Sequence, residues 1–211
     1  MDKTTFPDEM PELWSSFDKS DLELRCAVLH KFRRIMAETK PQEEVNIVRR
    51  TVAHIFIRGT GIEVGAGSRP FPIPSYASCS YGDIRDQCEL HNYFGTEIVG
   101  DLTYIDAGSM RGIPHNSLDF IISAHVIEHL HNPIRALKEA IYRLKKNGIF
   151  LLVVPEMTKT FDCRRPPTSL KHVLDDELDD GAESRLQAYI EHCKYVHPEI
   201  TGNALSDADI N

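Results

Sequence analysis

Gly65 and Gly67 carry the clearest chemical signal in the sequence, because they close a short apolar run that begins at Gly61. A strand that ends in Gly-x-Gly lets the backbone turn tightly and pass close to a ligand, since no Cβ atoms stand in the way. Sites for dinucleotides and for S-adenosylmethionine both use loops of this kind, so the glycines alone leave both classes of ligand open.

The residues around the loop favour a cationic ligand over an anionic one. Glu63 lies two positions before Gly65, where its carboxylate can receive the ammonium of a methionine moiety, directly or through water, and would repel a pyrophosphate. The three prolines that follow the loop exclude a helix directly behind it, so no helix N-terminus is available there to bind a phosphate group. The loop therefore predicts an S-adenosylmethionine site, with a tight turn that binds nothing as the alternative.

Acidic residues follow two further candidate strands. Asp83 follows the segment Ala77–Tyr81, at about the spacing from the glycine loop at which an acid reaches ribose hydroxyls in α/β folds, and Asp86 is the competing choice. Asp101 comes directly after the candidate strand Glu97–Gly100, where it can accept a hydrogen bond from an adenine amino group. An exposed loop aspartate is also a common turn residue, so each acid taken alone has a structural alternative.

A second cluster of chemically active side chains contains His125, Glu128 and His129. If the segment is helical, spacings of three and four residues put these side chains on one face. Their order matches the His-x-x-Glu-His signature of zinc hydrolases, which makes a metal-dependent hydrolase the alternative function. Asn132-Pro133 follows closely and interrupts such a helix, so we predict no metal site. A metal that orients an acceptor hydroxyl, a histidine general base and a structural role are the other interpretations.

The elements that position these residues follow a strand, helix, strand order. Leu118–Ser123 has strand character, and the continuous apolar run Ile149–Val154 predicts a strand covered on both faces. A helical stripe between them predicts the helix Pro133–Lys145. This order implies a right-handed crossover, so the predicted fold class is α/β with a doubly wound, mainly parallel sheet. Further helices are predicted from Ser20 or Asp21 to Glu38, from Pro41 to near Gly59, and from Gly181 onward. One domain is expected: helices in 1–58, the core in 59–155 and an extension in 156–211.

The composition limits the classes of function. The chain has 211 residues, 41% hydrophobic and 27% charged, which suits one globular domain. A formal net charge of −8 argues against an extended nucleic-acid interface. The five scattered cysteines predict reduced thiols rather than disulfides or zinc ligands. No apolar stretch is long enough to cross a bilayer and no signal peptide is evident, so we expect a cytoplasmic location and no membrane partner.

Three blocks of the sequence resemble class I S-adenosylmethionine-dependent methyltransferases. They are the glycine motif Glu63-Val-Gly-Ala-Gly67, the fourth-strand region Ser117–Leu130, and Leu144–Pro155, which spans a helix end and the fifth strand. The resemblance implies a Rossmann-like fold and methyltransferase activity with S-adenosylmethionine. It also implies that Glu63, Gly65, Ala66 and Gly67 contact the methionine half of the cofactor, that Asp83 binds the ribose, that Asp101 with Leu102 binds the adenine, and that Ala124 and His125 close the pocket.

Within this superfamily, the run Thr160–His172 resembles bacterial methyltransferases associated with polysaccharide and glycan biosynthesis. We therefore expect a small-molecule or glycan acceptor, methylated on oxygen, at a segment Phe161–Asp176 that folds over the carboxyl ends of the strands. The expected acceptor ligands are Asp162, Arg165 and His172, and the candidate catalytic residues are His125, His129 and His172. A surface loop whose arginines pair with Asp175 and Asp176 is the alternative.

The C-terminal part departs from the resemblance. Class I methyltransferases usually end in a β-hairpin, but residues 156–211 contain no convincing pair of apolar strands, so we expect this hairpin to be absent or cut short. The acceptor half of the site is therefore hard to read from the sequence. A module that binds S-adenosylmethionine without activity is the third functional hypothesis.

Overall fold

The structure is a computed structural model that describes residues 41–96, 98 and 101–196 of the chain. The predicted helix that ends at Glu38 and the last residues from Gly202 lie outside this range.

Five parallel strands form one sheet. The strands are β1 Gly59–Val64, β2 Ala77–Asp83, β3 Leu102–Tyr104, β4 Leu118–Ala124 and β5 Leu144–Val153. Their order is β3-β2-β1-β4-β5, and every neighbouring pair is parallel. The chain leaves β1 in one direction across the sheet and returns to its other side at β4, so the predicted doubly wound α/β fold is confirmed.

Helices cover both faces of the sheet. They are α1 Pro41–Phe56, α2 Gln87–Phe94, α3 Pro133–Arg143, α4 Leu170–Asp179 and α5 Arg185–Val196. Helix α3 begins as the sequence predicts. Pro133 lies in its first turn, and the side chain of the N-cap residue Asn132 accepts a hydrogen bond from the Arg135 N–H at 2.9 Å. The predicted helices at α1, α3 and α5 are confirmed.

Alternation along β1 divides the core between the two faces. Ile62 and Val64 pack with Ile121 of β4 in one buried cluster, to which α3 contributes Ala140. Glu63 points to the opposite face, since successive strand residues alternate. On that face Phe120 and Ile122 pack with Ala53 of α1 and with Phe71. Each fully buried large apolar side chain contributes about 1.5–3 kcal/mol, so packing on both faces stabilises β1, which ends at the glycine loop.

The third strand corrects the sequence prediction. Of the predicted strand Glu97–Gly100 only Ile98 is described, and Ile98 is not in a strand. β3 begins instead at Leu102, which pairs with Tyr81 of β2. This three-residue strand lies at the edge of the sheet and pairs on one side only, so it leaves little hydrophobic pattern by which to place it.

The connections also bear on the site. Residues 65–76, between β1 and β2, contain no helix, as the prolines predict. From the end of β5 to Val196, the described chain holds helices and 3₁₀ turns but no strand, so no β-hairpin follows β5 in this part.

None of the helices in the described ranges is long and apolar enough to span a membrane.

Candidate functional site

The carboxyl ends of three strands bring the predicted cofactor residues to one edge of the sheet. Val64, the last residue of β1, pairs with Gly82 of β2 on one side and with Ser123 of β4 on the other. The next residues, Gly65 and Asp83, are therefore neighbours at this edge, and the Gly65 N–H donates to the Gly82 carbonyl at 2.8 Å. Ligands of open α/β sheets bind at this edge, where the strand order reverses.

The glycine loop has the tight shape that its sequence predicts. Gly65 and Gly67 have φ angles of 69° and 54°, a left-handed conformation that side chains with a Cβ rarely adopt. A Cβ added to Gly65 would lie 2.5 Å from Cγ2 of Val126, and one added to Gly67 would lie 2.9 Å from Cζ of Phe94. Both glycines are therefore required by conformation and by space, and Val126 and Phe94 form the walls of the loop.

Glu63 lies under the loop rather than at its surface. Only 1% of this residue is exposed, and its Oε2 accepts a hydrogen bond from the Phe71 N–H at 2.8 Å. Burial raises the pKa of the Glu63 carboxyl to about 7, against the opposing effects of the Phe71 N–H and the Arg49 guanidinium. The predicted contact between Glu63 and a cofactor ammonium stays a prediction, and the carboxyl already has a partner inside the protein.

The structure separates the two candidate ribose ligands. Asp86 is the N-cap of α2: its side chain accepts from the Glu89 N–H at 2.8 Å, and the Glu89 carboxylate accepts from the Asp86 N–H at 2.9 Å. Asp86 is thus committed to a capping box. Asp83 is half-buried at the end of β2, and Oδ1 accepts from the Arg85 N–H at 3.0 Å. Asp83 is therefore the better placed of the two to accept from a ribose.

Asp101 and Leu102 lie at the wrong end of β3 for their predicted role. Because β3 begins at Leu102, Asp101 precedes the strand and does not follow it. The register of β3 shows how far Asp101 is from the site: the next residue, Leu102, lies opposite Tyr81, two positions before the carboxyl end of β2 at Asp83. The strand assignment that put Asp101 at the site edge is corrected, and with it the reason for assigning the adenine to this pair.

Asp106 takes the position that was expected for Asp101. It follows the carboxyl end of β3, next to Ile105, whose N–H donates to the Asp83 carbonyl at 2.9 Å. Its carboxylate shapes the following turn by accepting from the Gly108 N–H at 2.9 Å and from the Ser109 hydroxyl at 2.8 Å. The sequence signal that could have identified Asp106 is its position directly after the apolar Ile105 and shortly before the turn residue Gly108.

His125 follows β4 in a strained conformation. Its φ is 58°, which is unusual for a residue other than glycine, and its N–H donates to the Val153 carbonyl of β5 at 2.9 Å. Ala124, the last residue of β4, also pairs with Val153. Strain of this kind persists where the surroundings enforce it and is common at functional sites. The side chain is 62% exposed at the carboxyl edge.

Glu128 is the partner of His125, but the cluster is not helical in the way a metal-binding helix requires. Nδ1 of His125 lies 3.6 Å from Oε1 of Glu128, which is 24% exposed. Ile127–His129 forms a single 3₁₀ turn, and His125 precedes it. Among the described residues, no group of three or more histidines, cysteines or acids is placed to hold a metal ion.

The predicted acceptor ligands are bound to other parts of the chain. Arg165 lies 3.6 Å from the Glu191 carboxylate of α5, and Nε2 of His172 lies 3.3 Å from Oδ2 of Asp176. The arginine partner is therefore Glu191, not Asp175 or Asp176. The side chain of Asp162 lies outside the described part of the chain.

Helix α4 carries His172 away from the other histidines. Arg135 pairs with Asp180 and Lys138 with Glu177, so α4 runs antiparallel to α3, whose first turn follows the carboxyl edge. His172 precedes Asp180 by eight residues, about 12 Å at 1.5 Å per residue. Of the three candidate catalytic histidines, the structure brings His125 and His129 to the carboxyl end of β4 and places His172 farther along the flank.

A small apolar cavity lies beside the site. It lies between the ends of β1 and β4, the turn after β3 and helix α3, and its lining includes Ala107, Met110, Ser123 and Ile127. Met110 has a φ of 45° and is 1% exposed, so the turn after β3 is fixed by packing. The cavity shows that the turns after β3 and β4 converge on one apolar space.

Comparison with known proteins decides the family. Residues 25–210 match the model of a family described as a methyltransferase domain. The chain belongs to this family. It is an S-adenosylmethionine-dependent methyltransferase domain, which confirms the predicted class of enzyme and cofactor. A search of the curated proteins found no match.

Three solved structures that match the chain are distant from it in sequence. The carbon methyltransferase CurJ is 19% identical over 51% of this chain, with a TM-score of 0.39. The trans-methyltransferase CalH, in complex with S-adenosylhomocysteine, is 18% identical over 51%, with a TM-score of 0.35. A Thermotoga maritima protein described as a possible histamine N-methyltransferase is 20% identical over 61%, with a TM-score of 0.42. The chain spans 33%, 34% and 66% of these three proteins.

Proposed function

We propose that the chain transfers the methyl group of S-adenosylmethionine to a hydroxyl group of a small-molecule or glycan acceptor, and that His125 takes the proton of that hydroxyl. The observation that carries this proposal is the pair formed by His125 and Glu128 at the carboxyl end of β4. A hydroxyl acceptor must lose its proton as the methyl group arrives, and histidine is the residue most often used for this step.

The residues at the edge fit the cofactor in two respects. The loop has two left-handed glycines without a Cβ, so its backbone can lie close to a ligand. Asp83 supplies a half-buried carboxylate one strand away, suited to ribose hydroxyls. In this proposal Gly65, Ala66 and Gly67 hold the methionine half, Asp83 the ribose, Asp106 with Ala107 the adenine, and Ala124 with His125 the mouth of the pocket.

The geometry of His125 defines its contribution. Nδ1 of His125 lies 3.6 Å from the Glu128 carboxylate, so Nε2 is the ring nitrogen proposed to take the proton. The left-handed backbone holds the ring at the edge of the sheet without help from a helix. S-adenosylmethionine, when bound, would supply a methyl group whose bond to sulfur breaks as its bond to the acceptor oxygen forms, with S-adenosylhomocysteine as the leaving group. The residues at the edge would contribute by aligning the two reactants.

The glycan class of acceptor rests on the run Thr160–His172 and on the resemblance that it carries. Arg164 is exposed at the end of the 3₁₀ turn after β5, where it can reach a hydroxyl or a carboxylate. Arg165 stays a candidate acceptor ligand, although it pairs with Glu191. His172 pairs with Asp176 and lies farther along the flank, so it is the weaker candidate. The hydrolase alternative is disfavoured, because its motif lies on a 3₁₀ turn and not within a long helix.

Replacement of His125 by glutamine tests the proposed function. Turnover of hydroxyl-bearing sugars and small molecules should fall by about 100-fold or more, the usual contribution of a general base. Affinity for S-adenosylhomocysteine should stay within about threefold of the unmodified protein, since proton transfer adds nothing to binding of the product cofactor. The matched control is His115→Gln: His115 stacks on Tyr142 before β4 begins, at the opposite edge of the sheet. Full activity of His125→Gln would contradict the proposal.

A further inference from the structure

The connection between β1 and β2 must keep its shape without a helix. Residues 65–76 run from the glycine loop to the start of β2 in irregular conformation. Where a helix follows a glycine loop directly, the helix fixes the position of the loop. No helix follows Gly67 here, so the residues after the loop must be fixed by other contacts. We call residues 69–71 the strap. Phe71, at its end, is 3% exposed and is packed in the cluster under the sheet face covered by α1.

Two charged side chains hold the strap from below. Oε2 of Glu63 accepts from the Phe71 N–H at 2.8 Å, in a buried position. Arg49 of α1 donates from Nη2 to the Arg69 carbonyl at 2.7 Å, and its guanidinium lies 4.6 Å from the centre of the Phe71 ring. The carboxylate thus binds the strap from β1, and the guanidinium binds it from α1.

One of these contacts uses Oε2 of Glu63, the residue that the sequence predicts to bind the cofactor. Glu63 is 1% exposed, so its carboxyl does not face the solvent side of the loop. It follows the alternation of β1 toward α1, whereas Ile62 and Val64 point to the other face. A buried N–H left without an acceptor is costly, so the carboxyl group of Glu63 is needed where it is.

We propose that Glu63 and Arg49 are positioning residues that fix the strap and, through it, the Gly65–Gly67 loop, and that Glu63 does not contact the ammonium of the cofactor. This inference rests on the proposed location of the cofactor at the loop. Glu63 acts through the backbone of Phe71, and Arg49 acts through the backbone of Arg69 and the ring of Phe71. The loop then binds the cofactor with its backbone in a shape that these two side chains maintain.

Two ligands that differ in the ammonium separate this role from direct contact. S-adenosylhomocysteine carries the whole amino acid end, and 5′-methylthioadenosine has the same nucleoside and a thioether but lacks that end. Titration calorimetry of both with Glu63→Ala should show about tenfold weaker binding of each, the order expected when a buried hydrogen bond is left unmade. Glu63→Gln keeps an acceptor for the Phe71 N–H and should bind both ligands within about threefold of the unmodified protein.

Arg49 provides the second arm of the test. Arg49→Ala should also weaken both ligands by similar factors, and the double variant with Glu63→Ala should be less than additive, because the two residues hold one strap. The matched control is Arg58→Ala. Arg58 stacks on Tyr76 at 4.5 Å and donates to its hydroxyl at 2.8 Å, but near the start of β2, away from the site edge. This control should leave both affinities unchanged.

The outcomes distinguish the inference from the proposed site. If Glu63→Gln weakens S-adenosylhomocysteine tenfold and leaves 5′-methylthioadenosine unchanged, Glu63 binds the ammonium and the positioning role is wrong. If Glu63→Ala and Arg49→Ala lower only the melting temperature and both ligands bind normally below it, the role is structural and the inference is also wrong. Failure of the unmodified protein to bind either ligand would instead overturn the cofactor site itself.

Discussion

Substitution of Gly65 by alanine should damage the loop in two ways that can be measured separately. At a φ of 69° a residue with a Cβ costs about 1–2 kcal/mol, because the Cβ approaches the carbonyl oxygen. The added Cβ would also lie 2.5 Å from Cγ2 of Val126, and an overpacked contact of this kind costs about 1–3 kcal/mol. The free energy of unfolding should therefore fall by about 2–5 kcal/mol for Gly65→Ala.

Gly95→Ala isolates the first contribution. Gly95 has a φ of 65°, and a Cβ built there meets nothing within 4 Å. This variant should lose about 1–2 kcal/mol by strain alone. Urea unfolding of both variants gives the difference, which is the cost of displacing Val126. Calorimetry should then show reduced affinity for S-adenosylhomocysteine in Gly65→Ala and normal affinity in Gly95→Ala. Equal stabilities, or normal binding by Gly65→Ala, would refute the reasoning.

Three further predictions concern pH, metals and the acceptor side. Burial raises the pKa of Glu63 from 4.5 to about 7, so the folded state binds the extra proton, and stability should fall by about 3 kcal/mol as pH rises from 4.5 through 7. Glu63→Gln should remove this dependence in urea titrations at pH 5 and 8, and an unchanged slope would count against it. Methyltransferase activity should survive treatment with EDTA. Loss of activity in EDTA, followed by its restoration by one divalent ion, would contradict this prediction. Arg165→Ala and His172→Ala should raise the acceptor KM at constant cofactor affinity; full activity in both would make the segment a simple connection.

The fold could be predicted because its strongest signals are local. Apolar runs made β4 recognisable as a buried strand and β5 as a strand, and Pro133 with Asn132 marked the start of α3. The prediction that Ile149–Val154 is covered on both faces is wrong, because β5 is an edge strand in which only Leu144 is buried. The prolines after the glycine loop were sufficient to exclude a helix between β1 and β2. Each of these features depends on residues within one element, so no knowledge of tertiary contacts was needed.

The third strand could not be placed, because its position depends on a partner. Leu102–Tyr104 is short, lies at the sheet edge and is only partly covered, so no alternating pattern marks it. Its register comes from pairing with Tyr81–Asp83 of β2. An error of a few residues in the strand assignment moves the predicted acid several residues away from the carboxyl end of the strand. The sequence accordingly predicts Asp101 as the adenine ligand, whereas the acid that follows the strand is Asp106.

The orientation of Glu63 depends on packing that only the whole fold defines. Alternation along β1 already indicated that Glu63 and Val64 face opposite sides of the sheet. Contacts between residues distant in the sequence decide which face of the sheet α1 covers. They also bring the Phe71 N–H back to the Glu63 carboxyl. The residue type suggested a ligand for a cation, and the tertiary structure gave that carboxyl a backbone partner.

The Gly65–Gly67 edge is expected to bind S-adenosylmethionine and not a dinucleotide. Titration calorimetry of the unmodified protein with S-adenosylhomocysteine and, in parallel, with NAD tests it most directly. We predict saturable binding of S-adenosylhomocysteine at one site per chain, displaced by S-adenosylmethionine, and no heat of binding with NAD. Tight binding of NAD together with no response to S-adenosylhomocysteine would contradict the account.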